Sequence, residues 1–291
     1  MNRYDHFIDG DWCVPDSGEY LESIDPAHAT PWTSIARGNG SDAEAAVSAA
    51  DRAFNEGPWS RYSMGQRCEC LIEIADLLEQ RWPDLVEAEI RDNGKRISEV
   101  NGQFAGLHSW YRYFARLGLQ VESQRLDNHV PGVINHAHYQ PYGVVVAITP
   151  WNSPLMIAAW KLGPALAAGN TVVIKPSEFA SASTLEFVRL LSETSLPAGV
   201  VNVVTGLGQE VGEPLVKHPQ TRKITFTGSD IGGRKVAEAA ASGVKPVTLE
   251  LGGKSPQLLF ADADLDIALN GIISGIFLSK GQTCVAGSRL I

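Results

Sequence analysis

The chain has 291 residues, 44% of them hydrophobic and 20% charged, enough for a sizeable core in one large α/β domain or two smaller ones. A net charge of -9 and a pI near 5.3 exclude the basic face that nucleic acid requires and disfavour attraction to an acidic membrane. There is no basic start followed by an apolar leader, and no run approaches about 18 apolar residues, so a cytoplasmic protein with no membrane partner is expected. Four cysteines, Cys13, Cys68, Cys70 and Cys284, make no disulfide framework in a chain of this length.

In chain order, FIDGDW and EYLESID read as alternating runs around Pro15, Asp16 and Gly18, a short hairpin forming an arm before the main domain. Ser41 with Glu44 makes a capping box for a helix ending near Asn55, where Gly57 and Pro58 stop it. A longer helical pattern starts near Ser63, Pro83 opens a new helix at its first turn, and Asn93-Gly94 breaks it. Cys68 and Cys70 are expected to pack from different faces of their helix. A third stretch, Ser98 to Glu122, carries Trp110, Tyr111, Tyr113 and Phe114, an aromatic stripe expected in the core.

From Pro141 the texture changes, because short β-rich apolar runs now alternate with helical segments, the mark of βαβ units. The runs begin near Val144, Thr171, Val200, Lys223 and Val247. Near-continuous apolar strands imply an α/β fold, a Rossmann-like parallel sheet with helices on both faces. Ligands of such sheets bind outside the carboxyl ends of the strands, which here read TPWN, KPSE, TGLG, FTGS and ELGGKS.

The residues at those ends differ in what they can do. ELGGKS is no P-loop, since Thr248 stands where the motif needs a glycine. GLGQEVG departs from a dinucleotide fingerprint, with Gly212 one position late, and reads more simply as a strand-to-helix turn. FTGS closes a strand and opens a helix near Asp230, so the amides of Gly228 and Ser229 suit an anion such as a pyrophosphate, or simply cap the helix. Lys175 and Glu178 suit the two hydroxyls of a ribose, the plain alternative being a surface ion pair. No G-x-S-x-G elbow is present, and His136 and His138 lack a third metal ligand and read as surface or interface residues. Cys284 in GQTC, with Asn152 and Glu250 upstream, suits a thiolate that attacks a carbonyl carbon. A thiol hydrolase pairing Cys284 with a histidine such as His218 would leave Glu250 without a role.

TPWN, GPALAAGNTVVIKPSE, FTGS, ELGGKSP and GQTC followed by AGSR, in that order, resemble the aldehyde dehydrogenase superfamily over essentially all of the chain. The resemblance implies oxidation of an aldehyde to a carboxylic acid with NAD, through a cysteine-bound intermediate. It makes Cys284 the nucleophile, Asn152 the oxyanion donor and Glu250 the general base, and adds Lys161 to the catalytic set. Family members that release acyl-CoA tend to lack this glutamate. Lys175 and Glu178 would hold the adenosine ribose, Gly228 and Ser229 would approach the pyrophosphate, Ile148, Pro150, Trp151 and Leu251 would line the nucleotide path, and Gly208, Phe226 and Thr227 join the cofactor-binding set. NAD is expected over NADP, because the Glu178 carboxylate would repel a 2′-phosphate. Trp151, Met156 and Trp160 hint at an apolar approach for the aldehyde.

The resemblance also divides the chain into a coenzyme-binding domain at 1–123 and 141–252, an extended oligomerisation arm at 124–140, and the beginning of a catalytic domain at 253–291. The family is homo-oligomeric and continues well past its nucleophile. Residues 253–291 supply only the first strand and helix of that second domain, so an exposed apolar face and a truncated, poorly active or aggregation-prone chain are expected. A nucleotide-binding fragment without catalysis is the alternative.

Overall fold

In a computed structural model, described for residues 2–121, 124–126 and 130–291, the amino-terminal runs find different partners from those expected. Strand β1 (Asn2–Tyr4) leads into β2 (His6–Ile8), which folds back on β3 (Asp11–Cys13) through Asp9-Gly10. Both turn residues have positive φ, 55° and 86°, the two-residue turn whose twist matches the flanking strands. EYLESID becomes part of a second hairpin, β4 (Tyr20–Asp25) against β5 (Thr30–Ala36), with β1 alongside in a separate three-stranded sheet. The expected single hairpin is therefore corrected. Alternation marks a strand and its inward face but not the strand it pairs with. Nor is this segment an arm, because β2 and β3 extend the main sheet.

Helix α1 (Gly40–Asn55) starts earlier than expected, and its capping box is Asn39 with Asp42 rather than Ser41 with Glu44. The Asn39 side chain accepts from the Ser41 and Asp42 amides, and Asp42 accepts from the Asn39 amide at 2.9 Å. The four-residue logic is the same, two positions upstream. Helix α2 (Met64–Arg81) takes Ser63 and Gln66 as its box, and α3 (Pro83–Asn93) begins on its proline and ends at Gly94, whose φ of 66° suits glycine. The third helical stretch is two helices, α4 (Ile97–Ala105) and α5 (Leu107–Gly118), separated at Gly106; Glu122 lies outside the described residues. Tyr111 is fully buried, but Trp110 and Tyr113 are 38% and 55% exposed, so only part of the aromatic stripe is core. Successive helical residues turn by about 100°, so neighbours of a core residue face outward. Cys68 and Cys70 are both buried in the core.

Within the segment expected to be an arm, β6 (Gln124–Leu126) pairs antiparallel with β7 (Asn135–Ala137). Residues 127–129 of that segment lie outside the described residues.

The five apolar runs form β8 (Val144–Ile148), β9 (Thr171–Lys175), β10 (Val201–Val203), β11 (Thr221–Gly228) and β12 (Val247–Leu251), all parallel. Between them run α6 (Pro154–Ala167), α7 (Ala182–Leu191), the short α8 (Glu213–Lys217) and α9 (Asp230–Ala241). The sheet order is β12-β11-β8-β9-β10-β2-β3. Val145, Ala147, Val172 and Ile174 pack on one face with α2, α5, α6 and α7, while Val144, Val146 and Val173 pack on the other with the alanines of α1. Covering both faces is why the inner strands are so apolar, β8 at every position.

The last segment is built differently. Strand β13 (Pro256–Gln257) pairs parallel with β14 (Arg289–Leu290), and between them α10 (Leu265–Phe277) has no buried residue. Leu265, Ile267 and Phe277 are 71%, 72% and 65% exposed, an open apolar face of the kind expected. Among the described residues no helix is long and apolar enough to cross a membrane.

Candidate active site

The chain runs from β8 to β9 and β10 on one side of the sheet, then crosses back to β11 and β12 on the other. Successive connections therefore leave in opposite directions between β8 and β11, which opens a crevice at their carboxyl ends. There the structure has a groove of about 1120 Å³. The end of β8 contributes Ile148, Pro150, Trp151 and Asn152; β9 contributes Lys175 and Glu178; the turn after β10 contributes Gly208. From β11 come Phe226, Thr227, Gly228 and Ser229, from β12 Glu250 and Leu251, and from the last segment Cys284. Among the candidate residues Lys161 does not line the groove, and neither do Met156 and Trp160, expected at the aldehyde approach.

One end of the groove suits a nucleotide. Lys175 is only 3% exposed and its Nζ lies 3.0 Å from Glu178 Oε2, so the pair is not the surface ion pair of the plain reading. Burial pushes the Lys175 ammonium down, and the Glu178 carboxylate opposes that. Ser229 caps α9, its hydroxyl accepting from the Gly232 amide at 3.1 Å. A Cβ on Gly228 would stand 2.6 Å from the Phe226 ring, so the turn stays bare of side chain. The hydroxyls of Thr149 and Thr227, on the two strands flanking the crevice, are buried without a partner. A bare helix start, a buried lysine paired with a half-buried carboxylate, and spare hydroxyls fit a dinucleotide. The turn after β10 is the strand-to-helix turn expected of GLGQEVG, and it also walls the groove, with no atom within 4 Å of where a Gly208 Cβ would be.

The other end gathers the chemistry. Asn152 Nδ2 donates to the carbonyl of Gln282 at 2.7 Å, tying the turn after β8 to the turn that carries Cys284. A Cβ on Gly253 would lie 3.6 Å from the Cys284 carbonyl, so the loop after β12 passes against the same turn. Cys284 is exposed, and Glu250 sits across from Thr227 in the β11–β12 register. Lys161 lies beneath, on the face of α6 toward the sheet, its Nζ donating to Thr225 Oγ1 at 2.9 Å. Burial pulls Lys161 down to about 8, with Glu250 opposing and Lys223 assisting.

Gly232, Lys235, Val236 and Ala239 of α9 also line the groove and went unnamed in the sequence. Their spacing is one helical face, a signal available once FTGS was read as a helix start. His218 lies at the opposite end of the sheet, before β11 begins, with its Nε2 2.8 Å from Glu44 Oε2. His218 is thus not placed to serve Cys284 as a base. The rings of His136 and His138 stack at 5.7 Å on the β7 hairpin, and among the described residues no three His, Cys, Asp or Glu gather to hold a metal.

The family model described as the aldehyde dehydrogenase family matches residues 12–291. The chain is 42% identical over 291 residues to a (Z)-2-((N-methylformamido)methylene)-5-hydroxybutyrolactone dehydrogenase of Acinetobacter baylyi, covering 100% of this chain and 59% of that protein. It is 37% identical over 285 residues to the betaine aldehyde dehydrogenase of Bacillus subtilis, covering 98% and 58%. Among solved structures, an NAD+ complex of an aldehyde dehydrogenase from Bacillus cereus superposes with a TM-score of 0.96 at 37% identity, covering 99% of this chain and 59% of that one. The chain thus spans less than two thirds of the length of these relatives.

Proposed function

The chain belongs to the aldehyde dehydrogenase family, and from that premise we propose that it carries the NAD site and the nucleophile for oxidation of an aldehyde to a carboxylic acid. The observation that carries this reading is the 2.7 Å bond from Asn152 to Gln282, which brings an amide donor, a thiol and, through the shared groove, the Glu250 carboxylate to one end of a nucleotide-sized crevice. The Cys284 thiolate attacks the aldehyde carbon and forms an alkoxide. In this reading the Asn152 amide and the Cys284 backbone N–H donate to that charge as it develops. Bound NAD supplies a hydride acceptor for the next step, which leaves a thioester on Cys284. Glu250 takes a proton from the water that cleaves the thioester, regenerating the thiol and releasing the acid. The Glu250 carboxylate in turn favours the protonated form of Lys161, buried beneath. Lys175 and Glu178 hold the adenosine ribose, and the Glu178 carboxylate disfavours a 2′-phosphate.

A second reading, a chain that binds the nucleotide without turnover, is favoured by one observation: α10, which precedes the thiol, has no buried residue. The deciding experiment follows NADH production from a panel of simple aldehydes by the 291-residue chain and by Cys284→Ala, with NAD binding measured by calorimetry on both. NADH from the wild type alone, with NAD bound by both, supports the oxidation. Binding without NADH from either selects the second reading, and absence of binding overturns both.

A further inference from the structure

The segment that delivers Cys284 is strained and externally held. After α10 ends at Phe277, the chain places Ser279, Lys280 and Gly281 at φ 53°, 57° and 70°, three left-handed residues in succession, of which two carry side chains. L-residues are disfavoured there and persist only where their surroundings over-determine them. Ser279 is 5% exposed, and its amide donates to Glu99 Oε1 at 3.0 Å, a contact between residues 180 apart in the chain. The Gln282 amide then closes on the Ser279 carbonyl at 3.0 Å, and the Gln282 carbonyl accepts from Asn152 at 2.7 Å. The corner between α3 and α4 holds the opposite wall as well. Lys95, paired with Glu89 at 3.5 Å, donates to the hydroxyl of Ser153, the neighbour of Asn152, at 2.7 Å.

We propose that Glu99 is a positioning residue for Cys284: by accepting the Ser279 amide it holds the left-handed turn that presents Gln282 to Asn152, and so sets the thiol on the groove rim. This rests on Cys284 being the nucleophile. The plainer role for Glu99 is that of an acid in the first turn of α4, where the helix dipole favours negative charge. Two conservative substitutions separate the roles. Glu99→Asp keeps the charge but shortens the reach to Ser279, whereas Glu99→Gln keeps the reach and a carbonyl acceptor but removes the charge.

Amide hydrogen exchange and iodoacetamide alkylation of Cys284, both read by mass spectrometry on the 291-residue chain, need neither aldehyde nor NAD. A failure here is therefore distinct from failure of the oxidation reading. Glu99→Asp is expected to speed exchange over residues 279–284 on the order of ten-fold, the loss of one ordinary hydrogen bond, and to shift the Cys284 alkylation rate, with Glu99→Gln close to wild type. Adding Ser279→Gly to Glu99→Asp is expected to return much of the protection, since glycine adopts that conformation unaided. Wild-type exchange over 279–284 in Glu99→Asp overturns the proposal. So does faster exchange confined to α4 in Glu99→Gln, the pattern of a helix-dipole role.

Discussion

Strand β9 and helix α10 are both apolar runs, yet Val172, Val173 and Ile174 are fully buried whereas no residue of α10 is. The difference lies in the neighbours: β9 has a strand on each side and helices on both faces, while α10 presents Leu265, Ile267 and Phe277 to solvent. The two walls of the groove accordingly depend on different forces. The nucleotide wall stands on a closed core, and the thiol wall on a few polar ties, among them Asn152 to Gln282 and Ser279 to Glu99.

The strongest challenge to that contrast is Lys95→Met. Lys95 and Glu89 are 4% and 0% exposed, so removing the ammonium leaves a buried carboxylate with only the neutral donors Ser183 and Asn93. A loss of about 3–5 kcal/mol is expected in urea unfolding. An unchanged midpoint would mean that the α3–α4 corner does not brace the fold. Matched truncations sharpen the contrast further. Leu162→Ala, at a residue 1% exposed, should cost about 2–5 kcal/mol, and Leu269→Ala, at one 57% exposed, within about 0.5 kcal/mol. Equal losses would show that α10 is covered in solution.

Within the nucleotide wall, Lys175→Met should weaken NAD binding about 10- to 100-fold in calorimetry, the range of a charge-assisted hydrogen bond, with the unfolding midpoint less affected. A pH-dependent effect concerns Lys161, whose folded value near 8 lies below its ordinary 10.5. Between those two pH values the unfolded chain holds a proton that the folded chain has lost, so stability rises with pH across that window and the penalty is fully present below it. Lys161→Met should flatten that rise and add on the order of 2 kcal/mol at pH 7. A rise that persists in the variant would assign it to other buried lysines.

Much of this was legible in the residues. The runs near Val144, Thr171 and Val200 are largely apolar because both faces of a parallel sheet are covered there, a pattern that survives without any coordinates, whereas those near Lys223 and Val247, toward the sheet edge, mix polar and apolar residues. Asn152, Lys175, Glu178, Gly228, Ser229 and Glu250, at or just past their carboxyl ends, followed from the same rule and line the groove, whereas Lys161 came through the family resemblance and does not. The capping box of α1 was misplaced because Ser41 and Asn39 are both good caps, and their ranking depends on which amides the preceding chain leaves free. The amino-terminal strands were recognised and wrongly paired.

Sequence by itself determined the order of elements, the parallel sheet and the residue types at its carboxyl ends, because local backbone preference and the period of apolar residues are written along the chain. Only the tertiary structure decided that Lys161 lies under the groove, that His218 stands at the far end from Cys284, and that Glu99 meets Ser279 across 180 residues. Such contacts depend on how distant segments are brought together, and neither propensity nor periodicity carries that information.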